Sequence, residues 1–178
     1  FLIGATSGKT TLGGEGLQHQ DGTSHLAAST IPNCRAYDPA FAYEVAAIVD
    51  EGMREMVEEQ RDVFYYVTVM NENYAQPSVP GGNLDATRQG ILKGIYPLHA
   101  AVTETRHEKA ARVQLLGSGA ILCEVIAAQQ MLKDDWGIEA SVWSVTSFTE
   151  LQRYGMTAER LRRHGADVQI PYVTTALA

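Results

Sequence analysis

Residues 112–146 constrain the fold most. Arg112-Val113-Gln114-Leu115-Leu116 reads as a strand, Gly117-Ser118-Gly119 as a tight turn, Ile121 to Trp136 as a helix closed by Gly137, and Val142-Trp143-Ser144-Val145-Thr146 as a second strand. This order predicts a β-α-β unit, whose crossover joins parallel strands with one hand in nearly all cases. Ser147-Phe148-Thr149-Glu150 then has the capping-box form, a serine followed three residues later by a glutamate, and predicts the start of another helix.

A second such unit is legible upstream. Asp38 can accept from free first-turn amides and Pro39 loses no bonded N–H at a first helical position, so Asp38-Pro39 predicts a helix start. Phe41, Val45, Ile48 and Met56 recur at helical spacing, with Glu44, Glu51, Arg54 and Glu58 largely off that face, and the helix should end near Gln60. The run from Val63 to Val69 is β-branched and aromatic throughout, as expected of a strand buried on both faces of a parallel sheet. Tyr65, Tyr66 and Trp143 lie inside strand runs and read as core aromatics. Between Asn71 and about Lys109 the pattern gives way to Pro77, Pro80, Gly81, Gly82 and Pro97, with one weak short element near Gly90 to Tyr96. That exceeds the usual connection length and predicts a boundary: one α/β unit over 1–80, a linker over 81–110 and a second unit over 111–178. No internal repeat or low-complexity tract is present.

Composition narrows the function classes. The 178 residues are 45% hydrophobic and 20% charged, enough for a sizeable core. A net charge of −7 and a pI near 5.2 argue against nonspecific nucleic-acid binding, which relies on a positive face. Cys34 and Cys123 stand alone, without a C-x-x-C partner, so neither zinc nor a disulfide framework is indicated and a reduced, cytoplasmic setting is the simpler expectation. No apolar run approaches the ~20 residues that span a bilayer, and no signal peptide opens the chain, so a soluble protein is expected. A start on Phe1-Leu2-Ile3 rather than Met suggests a processed or excised piece.

The stretch GGEGLQHQDGTSH, Gly13 to His25, sets two histidines and two carboxylates between glycines. The six-residue step between His19 and His25 fits no zinc signature, so no metal is expected there. Acid/base work is the better chemical reading, because imidazole titrates near neutrality and Glu15 or Asp21 could fix its tautomer. On composition alone a solvated surface loop explains the stretch equally well. Gly117-Ser118-Gly119 lacks the third glycine of a dinucleotide fingerprint, Leu122 standing in its place, and Glu139 fits the ribose position only loosely; it reads as a plain turn. Asn71-Glu72-Asn73-Tyr74 follows the buried strand, where open α/β sheets place ligand contacts, though a turn cap explains the asparagines too. His99, His107 and His164 are expected in solvent.

Together these segments resemble a known family, the thiamine diphosphate-dependent decarboxylase component of the pyruvate dehydrogenase complex in its homodimeric bacterial form. The resemblance is carried by TSGKTTLGGEGLQHQDGTSH, IPNCRAYDPAFAYEVA, FYYVTVMNENYAQP, RQGILKGIY, and VQLLGSGAIL with SVWSVTSFTEL, in the family's order from Phe1 to about Tyr154. Thr23 stands where the family often has histidine, and beyond Tyr154 the sequence departs from the family pattern.

The resemblance implies an α/β fold: the latter part of a transketolase-like pyrimidine-binding domain, then the first part of a transketolase C-terminal-like domain, with parallel sheets and flanking helices. It implies decarboxylation of pyruvate on thiamine diphosphate with magnesium, at the step from glycolysis to acetyl-CoA. It also implies reductive acetylation of a lipoyl group on a dihydrolipoyl acetyltransferase partner. Carried over onto G-E-G-L-Q-H, His19 and Glu15 are the catalytic candidates, with His19 also touching the cofactor and Asp21 and His25 as supporting candidates. Magnesium and diphosphate ligands would lie outside this chain, so the isolated 178 residues are expected to be inactive. Two rivals stand beside this: a noncatalytic α/β binding or assembly module, and another thiamine diphosphate enzyme such as transketolase, whose G-E-D-G-P-T-H loop occupies the corresponding place.

Overall fold

The computed structural model describes residues 1–4, 21–70, 73–82, 84–100, 113–165 and 170–178. Two three-stranded sheets form its frame. In the first, β1 (Leu2–Gly4), β3 (Phe64–Thr68) and β2 (Cys34–Tyr37) lie parallel in the order β1-β3-β2, with Cys34 opposite Phe64 and Tyr37 opposite Val67. In the second, β5 (Val113–Gly117) runs parallel to β6 (Ala140–Ser144), and β4 (Tyr96–His99) closes the other edge antiparallel, in the order β4-β6-β5.

The strand period of two decides which side chains meet. On β3, Tyr65 and Val67 face the main core, while Phe64 and Tyr66 face a smaller cluster with Ala28, Cys34 and Ala36 beneath helix α1 (Ser24–Ser29). The main core is shared. Tyr37, Phe41, Ile48, Tyr65 and Val67 from the first unit pack with Ile91, Tyr96 and Leu98 from the stretch expected as a linker and with Leu122 and Val142 from the second unit. A third cluster joins Ile95, Val145 and Leu151 to Trp143 and to helix α6 (Tyr172–Ala176).

The expected helix between β2 and β3 exists, but it starts three residues later than Asp38-Pro39 suggests. Helix α2 spans Ala42–Met53, and a π-helical turn carries it through Arg54–Glu58. Its first turn is closed from within: the Glu44 carboxylate reaches back to accept from the amides of Phe41 at 3.0 Å and Ala40 at 2.5 Å. Asp38 is thereby released from capping. Glu44, which patterning places off the apolar face, is fully buried. The chain leaves the helix at Gln60, whose φ of 51° makes the turn into β3.

Between 80 and 99, where the sequence shows one weak element, the chain forms a 3-10 turn at Pro80–Gly82, helix α3 (Leu84–Lys93) and strand β4. Helix α4 (Ile121–Trp136) ends as expected at Gly137, whose φ of 62° admits the left-handed stop. Helix α5 (Phe148–Arg163) starts on Ser147, whose hydroxyl accepts from the Glu150 amide at 3.1 Å. The same hydroxyl donates across to the Ala36 carbonyl, pinning α5 to β2.

Strand β1 leaves Phe1, Leu2 and Ile3 exposed at a sheet edge. Among the described residues that edge has no strand partner, and an apolar free edge is a template for pairing with a second copy. The chain is therefore expected to self-associate with rising concentration in sedimentation velocity, and Ile3→Lys to reduce that association. A sample that stays monomeric at millimolar concentration contradicts this reading. Among the described residues, no helix is long and apolar enough to cross a membrane.

Candidate functional site

The carboxyl ends of β2 and β3 lie side by side, and both sequence and backbone concentrate polar groups there. Thr68 ends β3, and Asp38 follows Tyr37, the last residue of β2. The Thr68 hydroxyl donates to Asp38 Oδ1 at 2.6 Å, with the Tyr37 carbonyl a second acceptor at 3.3 Å. From the other side, His25 Nε2 lies 2.9 Å from Thr68 Oγ1. The His25 ring rests against Tyr66, with centroids 5.4 Å apart.

Asp38 also reaches the second unit. Its Oδ2 accepts from the Ser118 hydroxyl at 2.9 Å, its carbonyl accepts from the Gly119 amide at 3.0 Å, and its own amide donates to the Thr146 carbonyl at 2.8 Å. Gly119 has φ of 52°, and a Cβ there would stand 2.7 Å from Asp38 Oδ1. The turn that reads as a simple strand-to-helix connection is thus the seat of a buried carboxylate. A second buried carboxylate joins the units nearby. Glu44 Oε1 accepts from Tyr96 Oη at 2.5 Å and Ser144 Oγ at 2.6 Å, and Tyr96 Oη meets Tyr43 Oη at 2.6 Å. Burial pushes the Glu44 carboxyl above its usual range, against the pull of these donors, and pushes the Tyr43 hydroxyl up to about 12. At the far end of β2, Arg35 donates to Glu150 at 2.6 Å, and Arg153 pairs with the same carboxylate at 3.3 Å.

Of the residues singled out in the sequence, His19 and Glu15 lie outside the described residues, as do Asn71, Glu72 and His107. Asp21 accepts from the Ser24 amide at 3.1 Å and from the Ser24 hydroxyl, so it shapes the turn into α1. His25 is drawn to the strand end, and Tyr74 donates to the Ala40 carbonyl. His99 is half-buried rather than in solvent, 3.2 Å from Gln129 Oε1. Thr68, Asp38 and Ser118 are site components that patterning alone misses. The one signal for them was their place at strand ends, and Asp38 before Pro39 reads equally well as a helix cap. A broad cleft along α5, lined by Arg35, Glu150, Arg153, Arg160 and Arg163, contains none of these groups. Among the described residues, no three His, Cys, Asp or Glu side chains converge as a metal site.

Two α/β units sharing one core, one sheet all parallel and the other parallel but for its edge strand β4, with polar groups gathered at the strand ends, define a transketolase-like architecture. Solved transketolase structures from Pichia stipitis match it with TM-scores of 0.51 and 0.52 at 20% identity, over 74% and 75% of this chain and 17% of theirs. That likeness speaks to fold alone. Sequence comparison goes further. Residues 1–77 match the pyruvate dehydrogenase E1 component middle domain, and residues 94–177 match the transketolase-like C-terminal domain, past Tyr154. The pyruvate dehydrogenase E1 component of Pseudomonas aeruginosa is 60% identical over 92% of this chain and 18% of its own length. Those of Escherichia coli K12 and Mycobacterium tuberculosis are 49% and 50% identical, each over 99% of this chain and 19% of theirs. The chain belongs to the pyruvate dehydrogenase E1 component family and spans about a fifth of these relatives' length.

Proposed function

We propose that this chain forms one wall of a thiamine diphosphate-dependent site that decarboxylates pyruvate within a longer, homodimeric cytoplasmic enzyme. That enzyme passes the acetyl group to the lipoyl domain of a dihydrolipoyl acetyltransferase. The 60% identity to the Pseudomonas aeruginosa E1 component across 163 residues carries this reading. Among the described residues, His25 and Thr68 put an imidazole and a hydroxyl at the strand ends, which suits proton handling beside the cofactor, and the family resemblance assigns the diphosphate and magnesium ligands to other parts of the longer enzyme. When bound, the thiazolium supplies the electron sink for decarboxylation.

The part played by this chain is positioning and proton handling. By the family resemblance, His19 donates to the substrate carbonyl oxygen as negative charge develops there, and Glu15 sets the imidazole's protonation. Asp21 holds the loop's exit by bonding Ser24, and His25 anchors its end to β3. The shared core joins these strand ends to the second unit.

A chimera tests this. Replacing the matched segment of the Pseudomonas aeruginosa enzyme with this chain should preserve pyruvate-dependent reduction of an artificial electron acceptor. His19→Ala in that chimera should lower kcat about 10²-fold with thiamine diphosphate affinity within about twofold. The isolated chain should show no decarboxylation. An inactive chimera that still folds and dimerises, or an unchanged rate on losing His19, overturns the assignment.

A further inference from the structure

The orientation of the hydrogen bonds at Thr68 is determined by chemistry alone. Its hydroxyl carries one proton, and two of its three neighbours, Asp38 Oδ1 at 2.6 Å and the Tyr37 carbonyl at 3.3 Å, are acceptors. That proton is therefore committed toward them. What Thr68 Oγ1 can offer His25 Nε2 at 2.9 Å is a lone pair, so the imidazole must donate. Asp38 in turn is held by the Ser118 hydroxyl, by the Gly119 amide and by its own bond to Thr146, all from the second unit. Thr68 is fully buried and Asp38 nearly so, which protects the chain of bonds from competing water.

We infer that Asp38 and Thr68 are positioning residues that keep a proton on His25 Nε2, so that the neutral ring is held as its Nε2–H tautomer. In a histidine that handles protons, the tautomer is set by the bond the other nitrogen makes. Here that bond runs through a threonine to a carboxylate seated on the neighbouring unit. The second unit thus acts on His25 at a distance: the Ser118 hydroxyl and the Gly119 amide fix Asp38, Asp38 orients Thr68, and Thr68 orients His25. The role in turnover rests on the function proposed above; the tautomer does not.

Long-range proton–nitrogen spectra of the 178-residue chain, which has five histidines, decide the tautomer, with His25 assigned by the signals missing from His25→Gln. The expected result is a single Nε2–H form whose proton exchanges slowly with water. Thr68→Val keeps the shape and removes the acceptor; exchange should quicken about tenfold or more and the Nδ1–H form become populated, while Thr68→Ser restores the original signals. A wild-type His25 in the Nδ1–H form, or an Nε2 proton indifferent to Thr68→Val, overturns the inference, and the wild-type spectrum is decisive even if the variant fails to fold. In the chimera, Thr68→Val should lower kcat about tenfold with KM within about twofold and shift the pH profile, Thr68→Ser recovering both. An unchanged pH profile and kcat overturn the part in turnover. A chimera inactive before any substitution refutes the proposed function alone, and the spectra still decide the relay.

Discussion

Replacing Glu44 with alanine is expected to lower the unfolding free energy of the chain by about 3 kcal/mol or more, read as a fall in urea midpoint. The carboxylate is fully buried and accepts from two amides of its own helix start and from the hydroxyls of Tyr96 and Ser144 across the interface. Alanine strands the two amides and the Ser144 hydroxyl and leaves Tyr96 only Tyr43 as a partner, and each buried donor left unpaired costs about 1–3 kcal/mol. Glu44→Gln should cost much less, because the hydroxyls can turn to meet its amide. The pH dependence has a definite sign. Burial raises the folded carboxyl above its unfolded value, so the native state holds a proton that the unfolded chain has released. Stability from this group is full below the ordinary carboxylate range and declines as pH rises through the raised value. Glu44→Gln should flatten that decline in urea titrations at stepped pH; a slope unaltered by the substitution would show that another group carries it.

Gly119→Val is the second large effect, expected to cost about 3 kcal/mol. The residue has φ of 52°, which β-branched side chains resist, and even a Cβ would stand 2.7–2.9 Å from the Asp38 carboxylate. The clash displaces the acceptor of Thr68 and Ser118, so the loss of stability should be accompanied by faster exchange of the His25 ring proton. Gly137→Val serves as the control: it has a similar φ but nothing within 4 Å of its Cβ position, so it should destabilise by backbone strain while leaving His25 unmoved. Equal responses at His25 from both variants would remove Gly119 from the relay.

Most of the framework was legible because it is written in local pattern. The β3 run, the span of α4 and its glycine stop, and the serine cap of α5 depend on periodicity and on neighbours within a few residues. What escaped depends on tertiary contact. Pro97 reads as a breaker and Gly90 to Tyr96 as a weak element, yet Gly90 lets α3 lie where a Cβ would come within 2.5 Å of Tyr96 Cβ, Gly94 turns at φ of 101°, and Pro97 occupies an edge strand. Glu44 is polar and off the apolar face, so nothing local betrays a carboxylate folded back into the core. Asp38 carried a strong but misleading signal: its capacity to cap a helix is the same capacity that binds Thr68 and Ser118. For the candidate site, the loop was visible as a motif, while its supports were scattered at positions 38, 68 and 118 and came together only through the two sheets.

The shared core has a consequence for how such proteins can be recombined. The two matched family segments meet across Tyr37, Phe41, Tyr65, Tyr96, Leu98 and Leu122, so the border between them passes through the interior of one hydrophobic mass. A gene fusion that exchanged either segment alone would bring together two half-cores shaped for other partners. The pair should therefore travel as one inheritable block, and a productive crossover should fall outside it.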